Sequence, residues 1–442
     1  MHIELPEKVN YIISQLEAAG FEAYAVGGCV RDSVLGRTPD DWDITTSALP
    51  FQVKEIFDRT IDTGIRHGTV TVMLNRQGFE VTTYRIDGEY GDSRHPNEVK
   101  FTASLTEDLK RRDFTINAMA YSHRNGLIDE FGGQDDLSKG IIRCVGDARE
   151  RFTEDALRIM RVVRFSAQLG FSIEDRTAGA ITEFAGRLGN ISAERIQTEL
   201  VKLLVSQNPD YVRTMYDLGI TRVILPELDD AFETLQNNPH HMYTVGEHIM
   251  HCLLNVRDDK ALRLAALLHD IGKPRTRTTD EKGIDHFHGH VELSEEMAVK
   301  ILRRLKFDND TVSRVSKYIR YHDYSIEPSH RAVRRAASKI GEDCFEQVLE
   351  IKRADILAQS FYMRDEKLER LSEITALYNE IKEKNQCISL KTLAIDGRDL
   401  IALGIPAGRK IGEILNALLD DVLQCPEHNS RDYLLEAAEK FK

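Results

Sequence analysis

The hydrophobic pattern of this chain changes near position 146, and that change constrains the fold more than any other feature. Before it, β-type runs at Ala23–Val26, 42–46, 68–74 and 79–85 alternate with turn residues and short helical patterns. After it, apolar residues recur almost entirely at helical spacing. Because strands must share a sheet whereas helices can pack on one another, we predict an α/β head with a mixed sheet, followed by an all-α body.

The same pattern predicts where individual helices and domains lie. Helical spacing of apolar residues predicts helices over 1–20, 153–170 and 192–206. Histidines concentrate between positions 239 and 360, and glycines interrupt the helical pattern after 390. The predicted domains are a head at 1–146, a helical neck at 147–224, a histidine-rich helical domain at 225–365 and a helical tail at 366–442.

Composition limits the class of protein and its compartment. Hydrophobic residues make up 41% and charged residues 30% of the 442 residues, which is typical of a soluble globular protein. The six cysteines form no CxxC pair, so we expect no zinc ribbon or disulfide framework and predict a reducing, cytoplasmic compartment. We expect no signal peptide, and no apolar run approaches the roughly 18 residues of a membrane span. The sequence indicates no oligomeric state.

The net charge of −13 argues against a nucleic-acid-binding protein, but the basic residues are locally clustered. The clusters are the consecutive Lys110, Arg111 and Arg112, an arginine-rich run from 143 to 164, and the group Arg331, Arg334, Arg335 and Lys339. Solvated helix faces are the alternative interpretation of each cluster. Because phosphates respond to the local field, the net charge leaves RNA binding open.

The run DDWDI at 40–44 carries the first chemistry. On a strand, Asp41 and Asp43 would share one face, and Trp42 would point to the opposite one. Two neighbouring carboxylates repel each other unless cations lie between them, and Mg²⁺ prefers such oxygen ligands. The spacing therefore predicts a two-metal site that activates a hydroxyl and stabilises a pyrophosphate leaving group.

A pair of glycines, Gly27 and Gly28, follows the first β-type run and precedes Arg31. Glycines at a strand-to-helix junction allow the backbone to approach phosphates closely, whereas an ordinary turn is the alternative. The run GGCVRDSVLGR at 27–37, followed by DDWD at 40–43, resembles the signature of class II tRNA nucleotidyltransferases and bacterial poly(A) polymerases, in the polymerase-β superfamily.

The resemblance implies a polymerase-β-like head, Mg²⁺ held by Asp41 and Asp43, and transfer from CTP and ATP to the 3′ end of tRNA. A third acidic ligand often completes such sites, and Glu80 on the 79–85 strand is the candidate. A solvent-exposed strand residue is the alternative for Glu80.

Further runs resemble family motifs that bind the nucleotide. The run RRDFTINAMA at 111–120 resembles the ribose-recognition element, and EDALR at 154–158 resembles the amino-acid template that pairs with the base. The implied nucleotide-binding residues are Gly27, Gly28, Arg31, Arg112, Asp113, Asn117, Asp155, Arg158, Arg161 and Arg164. Three residues apart on a helix, Asp155 and Arg158 would share one face. For the run at 111–120, the structural alternative is a helix start with a buried Asp–Arg pair. For the run at 154–158, it is a helical salt bridge.

Residues 84–101 form a polar, glycine-containing stretch between a strand and the ribose motif. Its polar positions include Arg85, Asp87, Tyr90, Asp92 and Arg94, followed by Pro96. In the family, a flexible loop here accompanies the switch from C to A addition, so a full-length loop favours CCA addition over A addition alone.

The histidine-rich block resembles the HD phosphohydrolase superfamily. His248, His269, Asp270 and Asp355 match its ligand positions in order, and His290 and His322 are candidates for a second ion. Imidazole and carboxylate together suit Mn²⁺, Fe²⁺, Ni²⁺, Co²⁺ or Mg²⁺, and the sequence does not select one. The implied reaction is hydrolysis of a phosphomonoester or a cyclic phosphodiester, and a domain that only holds tRNA is the alternative.

The tail from 393 to 416 resembles the C-terminal RNA-binding segment of the same family. Ordinary helix caps and turns also explain its glycines. Taken together, the resemblances identify a tRNA nucleotidyltransferase that adds C, C and A. A poly(A) polymerase or A-adding enzyme, and a metal-dependent phosphohydrolase whose head only binds nucleotide, are the alternatives.

Overall fold

A computed structural model describes residues 2–87 and 99–441. The polar stretch predicted around Tyr90, Asp92, Arg94 and Pro96 lies outside these residues. The chain divides into two compact units, Met1–Leu225 and Pro226–Lys442. The finer division into four domains stays a prediction.

A seven-stranded mixed sheet forms the centre of the first unit. The strands described before the neck are β1 (Ala23–Val26), β2 (Ile44–Thr46), β3 (Thr60–Gly64), β4 (Thr69–Leu74), β5 (Gln77–Thr83), β6 (Arg85–Asp87), β7 (Val99–Phe101), β8 (Met119–Ser122) and β9 (Gly126–Asp129). The order in the sheet is β3-β4-β5-β2-β1-β8-β9, and β6 pairs separately with β7. Only β2 and β5 run parallel among these pairs, with Ile44 beside Val81. All residues of β1, β2 and β8 are buried, which makes these strands the core of the sheet.

Helices cover the sheet and continue into the neck. They are α1 (Glu7–Ala18), α2 (Gly28–Val34), α3 (Pro50–Ile56), α4 (Leu105–Lys110), α5 (Gly133–Lys139), α6 (Ala148–Glu154), α7 (Leu157–Leu169), α8 (Asp175–Phe184), α9 (Ala193–Leu204), α10 (Val212–Asp217) and α11 (Thr221–Ile224). Short 3₁₀ helices span Ile65–His67, Thr115–Asn117, Ala185–Asn190 and Pro209–Tyr211. A two-residue strand β10 (Ile141–Ile142) pairs in parallel with β11 (Ser172–Ile173).

Two sequence-based expectations for this unit need correction. The strand expected over 42–46 begins only at Ile44, although the predicted alternation persists, with half-buried Trp42 between exposed Asp41 and Asp43. The helix expected over 153–170 is interrupted, because the backbone of Asp155 is extended. The Asp155 carboxylate accepts a hydrogen bond from the Leu157 backbone N–H at 3.0 Å, so it starts a new helix instead of continuing the old one.

The second unit is almost entirely helical. Its helices are α12 (Pro226–Glu233), α13 (Val245–Leu254), α14 (Lys260–Leu268), α15 (Lys273–Thr276), α16 (His290–Arg304), α17 (Asn309–Tyr321), α18 (His330–Ile340), α19 (Glu342–Ala358), α20 (Arg364–Glu383), α21 (Gly397–Ala402), α22 (Arg409–Gln424) and α23 (Arg431–Glu439). A 3₁₀ helix spans Pro426–His428, and β12 (Thr278–Thr279) pairs with β13 (Asp285–His286). Within the described residues, no helix is both long and apolar enough to cross a membrane.

Helix starts in this unit are fixed by side-chain caps. Thr244, Asp259, Asp308 and Ser329 each accept a hydrogen bond from a backbone N–H in the first turn of the helix that follows. Nearly every residue of α14 is buried, so this helix forms the centre of the unit. It packs against α13, α17 and α19, which brings the residues after its C-terminal end among three other helices.

Candidate functional site

Three carboxylates form an acidic face at one end of β2. Ile44 is buried beside Val81 on the parallel neighbour β5, so the residues immediately before them, Asp43 and Glu80, lie on the other face of the sheet. Asp41 lies two residues before Asp43 and is exposed like it. Here "acidic face" means Asp41, Asp43 and Glu80. The structure thus brings the three predicted ligands close enough for the charges of Asp41 and Glu80 to act on Asp43.

The electrostatics of Asp43 show that these carboxylates interact. Crowding by protein atoms raises the pKa of Asp43, although its side chain still reaches solvent, and the charge of Asp41 adds to this shift. Arg112 opposes the shift, and Glu80 reinforces it. The charged form of Asp43 is therefore less favourable than that of a free aspartate, and a bound cation would offset this cost. The carboxylate oxygens of Asp41, Asp43 and Glu80 do not all lie within 4.8 Å of one another in the structure.

A partly buried arginine, Arg112, lies between the glycine turn and the acidic face. Gly27 has a φ of 83°, and a Cβ there would lie 2.9 Å from Nη1 of Arg112. Arg112 also approaches Asp108 Oδ2 at 3.6 Å, whereas its Nε has no hydrogen-bond partner among the described residues. Burial lowers the pKa of Arg112, and the charges of Asp108 and Asp43 oppose that effect. Glycine is required at position 27 both for its backbone angle and for the space that Arg112 occupies.

A chain of hydrogen bonds connects α2, the ribose motif and α7. Arg31 Nη1 donates to Asn117 Oδ1 at 2.9 Å, and Asn117 Nδ2 donates to Asp113 Oδ1 at 3.1 Å. Arg161 Nε donates to the other oxygen of Asp113 at 2.8 Å. Burial alone would raise the pKa of Asp113, but Arg161 outweighs it and lowers the pKa to about 2. We call Arg31, Asn117, Asp113 and Arg161 the ribose network. The structure brings these predicted residues into contact. It also contains the buried Asp–Arg pair that was the structural alternative, formed by Asp113 and Arg161.

The arginines of α7 are mostly buried and paired. Arg158 pairs with Glu154 and donates to the Arg111 carbonyl at 3.0 Å, and Arg164 pairs with Glu199. Asp155 pairs with Arg195 on α9 at 2.7 Å. Because the backbone of Asp155 is extended before α7, Asp155 and Arg158 do not share one continuous helix, and their joint recognition of the base stays a prediction.

Sequence reasoning missed the aromatic centre of this arrangement. The guanidinium of Arg164 lies 3.7 Å from the centre of the Phe165 ring, and those of Arg31 and Arg161 lie 5.1 and 5.4 Å away. Three cations around one ring hold α2 and α7 in a fixed relation. The sequence feature that could have revealed this cluster is an aromatic residue immediately after Arg164, in a helix without acidic residues.

The second unit brings all six predicted metal ligands of the histidine block together. They form two groups whose ligand atoms lie within 4.8 Å of one another: His248, His269, Asp270 and Asp355, and Asp270, His290 and His322. Asp270 belongs to both groups. His248, His269 and Asp270 are fully or almost fully buried. We call the six residues the histidine cluster.

Backbone carbonyls fix the orientation of every histidine in the cluster. The Nδ1 atoms of His269, His290 and His322 lie 2.8, 2.8 and 2.7 Å from the carbonyl oxygens three residues earlier in the chain. Nδ1 of His248 lies 3.2 Å from the carbonyl of Ala358. Since a carbonyl only accepts, each Nδ1 donates, and each Nε2 is turned towards the carboxylates. Histidine ligands of protein-bound metals are held in this way.

The carboxylates complete a donor set that suits a cation. His248 Nε2 lies 2.9 Å from Asp355, and His269 Nε2 lies 3.2 Å from Asp270. Both oxygens of Asp270 are buried and make no hydrogen bond of normal geometry, although Lys273 Nζ lies 2.7 Å away. Burial lowers the pKa of His322 to about 3, so this imidazole is neutral and able to coordinate. A buried carboxylate with unused lone pairs, surrounded by imidazole nitrogens, fits a divalent ion.

Two cavities flank the histidine cluster. One, of about 390 Å³, is lined by Asp270, Lys273 and His290. The other, of about 280 Å³, is lined by Lys352, Lys367 and Arg370. His322 and Asp355 line both. The basic residues on either side were not predicted as site residues, because lysines on amphipathic helices carry no distinguishing spacing.

The fold and the two sites define the class of protein: a nucleotidyltransferase head, a helical RNA-binding region and an HD domain. Family models match in this order, the poly A polymerase head domain at 23–143, the "Probable RNA and SrmB-binding site of polymerase A" at 170–232 and the HD domain at 240–375. The predicted α/β head, helical body and enzyme class are confirmed.

The chain belongs to the family of CCA-adding enzymes. It is 35% identical to the CCA-adding enzyme of Limosilactobacillus reuteri over 98% of this chain and 96% of that one. It is 55% identical to the enzyme of Leuconostoc mesenteroides over 44% of this chain, a match that spans 48% of that relative's length.

Solved structures support the same assignment. The Bacillus stearothermophilus CCA-adding enzyme in complex with CTP matches with a TM-score of 0.72 and 28% identity, over 99% of this chain and 98% of that one. The Thermotoga maritima enzyme complexed with tRNA matches with a TM-score of 0.63 over 100% and 99% of the two chains, at 20% identity, which shows a shared fold.

Proposed function

We propose that the protein adds C, C and A to the 3′ end of tRNA from CTP and ATP. The observation that carries this proposal is the acidic face beside Gly27 and Arg112, next to the ribose network. Relatives named CCA-adding enzymes and solved structures of such enzymes with CTP, ATP and tRNA support the choice of substrates. A cytoplasmic location, where these substrates occur, is part of the proposal.

The acidic face would hold the catalytic metal. Carboxylate oxygens alone are the donor set that Mg²⁺ prefers, and the interacting charges of Asp41, Asp43 and Glu80 fit it. Two bound Mg²⁺ ions would favour ionisation of the tRNA 3′-hydroxyl and neutralise the pyrophosphate that leaves. The hydroxyl oxygen forms a bond to the α-phosphorus of the nucleotide, and the bond from that phosphorus to pyrophosphate breaks.

The residues around the acidic face bind the rest of the nucleotide. Arg112 is positioned beside Gly27 to neutralise phosphate charge, and its Nε is free of other partners among the described residues. Arg31 and Asn117, held by Asp113, are placed to recognise the ribose. Asp155 and Arg158 are assigned to reading the base, and Arg195 orients Asp155 through its ion pair.

The test is a gel assay of the purified protein with Mg²⁺ and a tRNA that lacks its terminal CCA. Extension by two residues with CTP, and by a third only when ATP is added, is the expected result. Extension by A alone, on a tRNA that already ends in CC, would assign an A-adding enzyme instead. Failure to extend either tRNA would overturn the proposal.

A second activity is favoured by the histidine cluster. We propose that it holds divalent transition metal or Mg²⁺ and hydrolyses a phosphomonoester or cyclic phosphodiester. Converging Nε2 atoms, the buried oxygens of Asp270 and the cavities lined by Lys273 and Lys352 support this proposal. A bound ion would supply an activated water, while the lysines would neutralise the substrate phosphate.

The second activity is tested with metal analysis and two small substrates. Purified protein should contain a divalent metal and hydrolyse p-nitrophenyl phosphate or a 2′,3′-cyclic nucleotide. The His269→Ala variant should lose both the metal and the hydrolysis, yet retain tRNA extension. Metal binding without turnover would reduce the histidine cluster to a structural role.

A further inference from the structure

One helix of the second unit presents a row of cations that neither proposed active site uses. Helix α18 has the sequence HRAVRRAASKI, without a single acidic residue. Arg331, Arg335 and Lys339 are exposed and follow one another at intervals of four residues, so they lie on one face about 6 Å apart along the helix axis. We call these three residues the α18 ridge.

The opposite side of α18 is anchored, so the ridge is held in place. The fourth cation, Arg334, is buried, and it donates to the carbonyl oxygens of Leu423 at 2.9 Å and Gln424 at 3.1 Å at the end of α22. It also donates to Gln386 at 3.1 Å. The four cations cluster in the sequence, but the structure gives Arg334 a structural role and leaves the other three at the surface.

The ridge lacks the acidic partners that neighbouring cations have. Arg320 on α17 pairs with Glu295 at 2.7 Å, and Lys382 on α20 pairs with Glu346 at 2.6 Å. In the parts of the chain that the structure describes, no carboxylate lies within 4.0 Å of the ridge nitrogens. Lys339 instead lies 4.5 Å from the centre of the Tyr324 ring. In a protein with a net charge of −13, three unpaired cations on one face concentrate positive potential there.

This pattern fits a regular row of negative charges. A nucleic-acid backbone presents such a row, and arginine and lysine bind phosphates without reading the sequence. An acidic protein segment presents such a row only if it is helical with an acid at every fourth position, whereas every nucleic-acid strand presents one. The partly exposed ring of Tyr324 beside Lys339 adds a surface on which a base can stack.

We propose that the α18 ridge binds the phosphate backbone of RNA and thereby forms part of the tRNA-binding surface of the second unit. The proposal rests on the proposed function, because tRNA is the RNA in question. In sequence, the ridge lies outside the region 170–232, which matches an RNA-binding family model, and outside the tail segment 393–416. Its contacts are with phosphates, so it contributes affinity and salt dependence rather than choice of nucleotide.

The test compares two triple variants of the full-length protein in filter binding with tRNA at several salt concentrations. Arg331→Gln, Arg335→Gln and Lys339→Gln together should weaken tRNA binding about tenfold at low salt and reduce the salt slope by roughly 2, because three phosphate contacts are lost. The control replaces Lys282, Lys300 and Lys384, exposed cations at three separate places in the chain, with glutamine. It makes the same change in net charge and should alter binding less than about twofold.

The outcomes separate this proposal from the proposed function. At saturating tRNA, the ridge variant should extend tRNA with an unchanged kcat, and its thermal unfolding should match that of the unmodified protein. Replacing both ridge arginines with lysine should restore most of the affinity. If the unmodified protein extends tRNA but the ridge variant keeps the salt slope of the unmodified protein, the ridge proposal is overturned and the proposed function stands. Binding of an acidic protein to the ridge would not change that conclusion.

Discussion

The acidic face and the histidine cluster are both sets of candidate metal ligands, but they are built in opposite ways. The acidic face has three exposed carboxylates at the end of a sheet, with mutual repulsion and one nearby cation, Arg112. The histidine cluster is buried among helices, and backbone carbonyls orient its imidazoles. We infer that the first is completed by Mg²⁺ together with the phosphates of its substrate, whereas the second is a preformed site within the folded domain.

The largest effect is expected at the acidic face. The Asp43→Asn variant should lower the rate of nucleotide addition by about 10³-fold or more, because charge stabilisation worth several kcal/mol is lost. Single-turnover extension of tRNA by CTP measures the rate. Binding of tRNA and the metal content of the histidine cluster serve as controls and should not change. Near-normal addition by this variant would remove Asp43 from the mechanism.

The next effect distinguishes the two sites directly. Because Asp270 belongs to both ligand groups of the histidine cluster, Asp270→Asn should reduce bound divalent metal to near zero. Metal analysis by mass spectrometry, after dialysis, measures this loss. Nucleotide addition with Mg²⁺ should stay within about twofold of normal, since the acidic face is separate. If Asp270→Asn also lost nucleotide addition, the two sites would not be independent of each other.

A smaller effect concerns base selection. Arg195→Gln removes the ion pair that orients Asp155, so discrimination between CTP and ATP should fall by roughly tenfold, about 1.4 kcal/mol. The measurement is the ratio of kcat/KM for the correct and incorrect nucleotide at each position of CCA. Glu194→Gln, at the neighbouring exposed residue, is the matched control. An unchanged ratio with a lower rate would give Arg195 a stabilising role only.

The smallest effect is on stability in acid. The pKa of Asp113 is lowered from 3.8 to about 2, so its folded-state charge contributes stability above the unfolded pKa, and this contribution is lost as pH falls from about 4 to 2. Its size is about 2 kcal/mol. Urea unfolding of the protein and of Asp113→Asn, at pH 6 and at pH 2.5, measures it. The difference between the two proteins should shrink at the lower pH, and a constant difference would contradict the pKa shift.

How much of this the sequence could predict depends on whether the contacts are local. Three of the four histidine orientations in the cluster follow from bonds to a carbonyl three residues earlier, as for His269 and Ala266. The last turn of a helix makes this carbonyl available to His269 and His322, and a turn before α16 makes it available to His290. The fourth, between His248 and Ala358, joins distant positions, and no spacing in the sequence indicates it. The ligand types were predictable from motifs, but the basic residues that surround them were not.

In the head, too, features that depend on local sequence were predictable and the others were not. The glycine turn directly follows the first strand, as predicted, and the acidic pair lies close to it in sequence. The break at Asp155 escaped prediction because apolar spacing continues across it. Only the Asp155 side chain, which caps the start of α7, marks the break. Strands β8 and β9 also escaped, because β8 is buried on both faces and lacks the alternation that marks a half-exposed strand.

The ribose network has a consequence for how this protein can change over evolutionary time. Asp113 accepts from Asn117 and Arg161 at once, and Asn117 in turn accepts from Arg31. A substitution at any of these four positions leaves a buried polar group of another without its partner. We therefore expect the four positions to vary together among relatives or not at all, whereas exposed neighbours such as Lys110 drift independently.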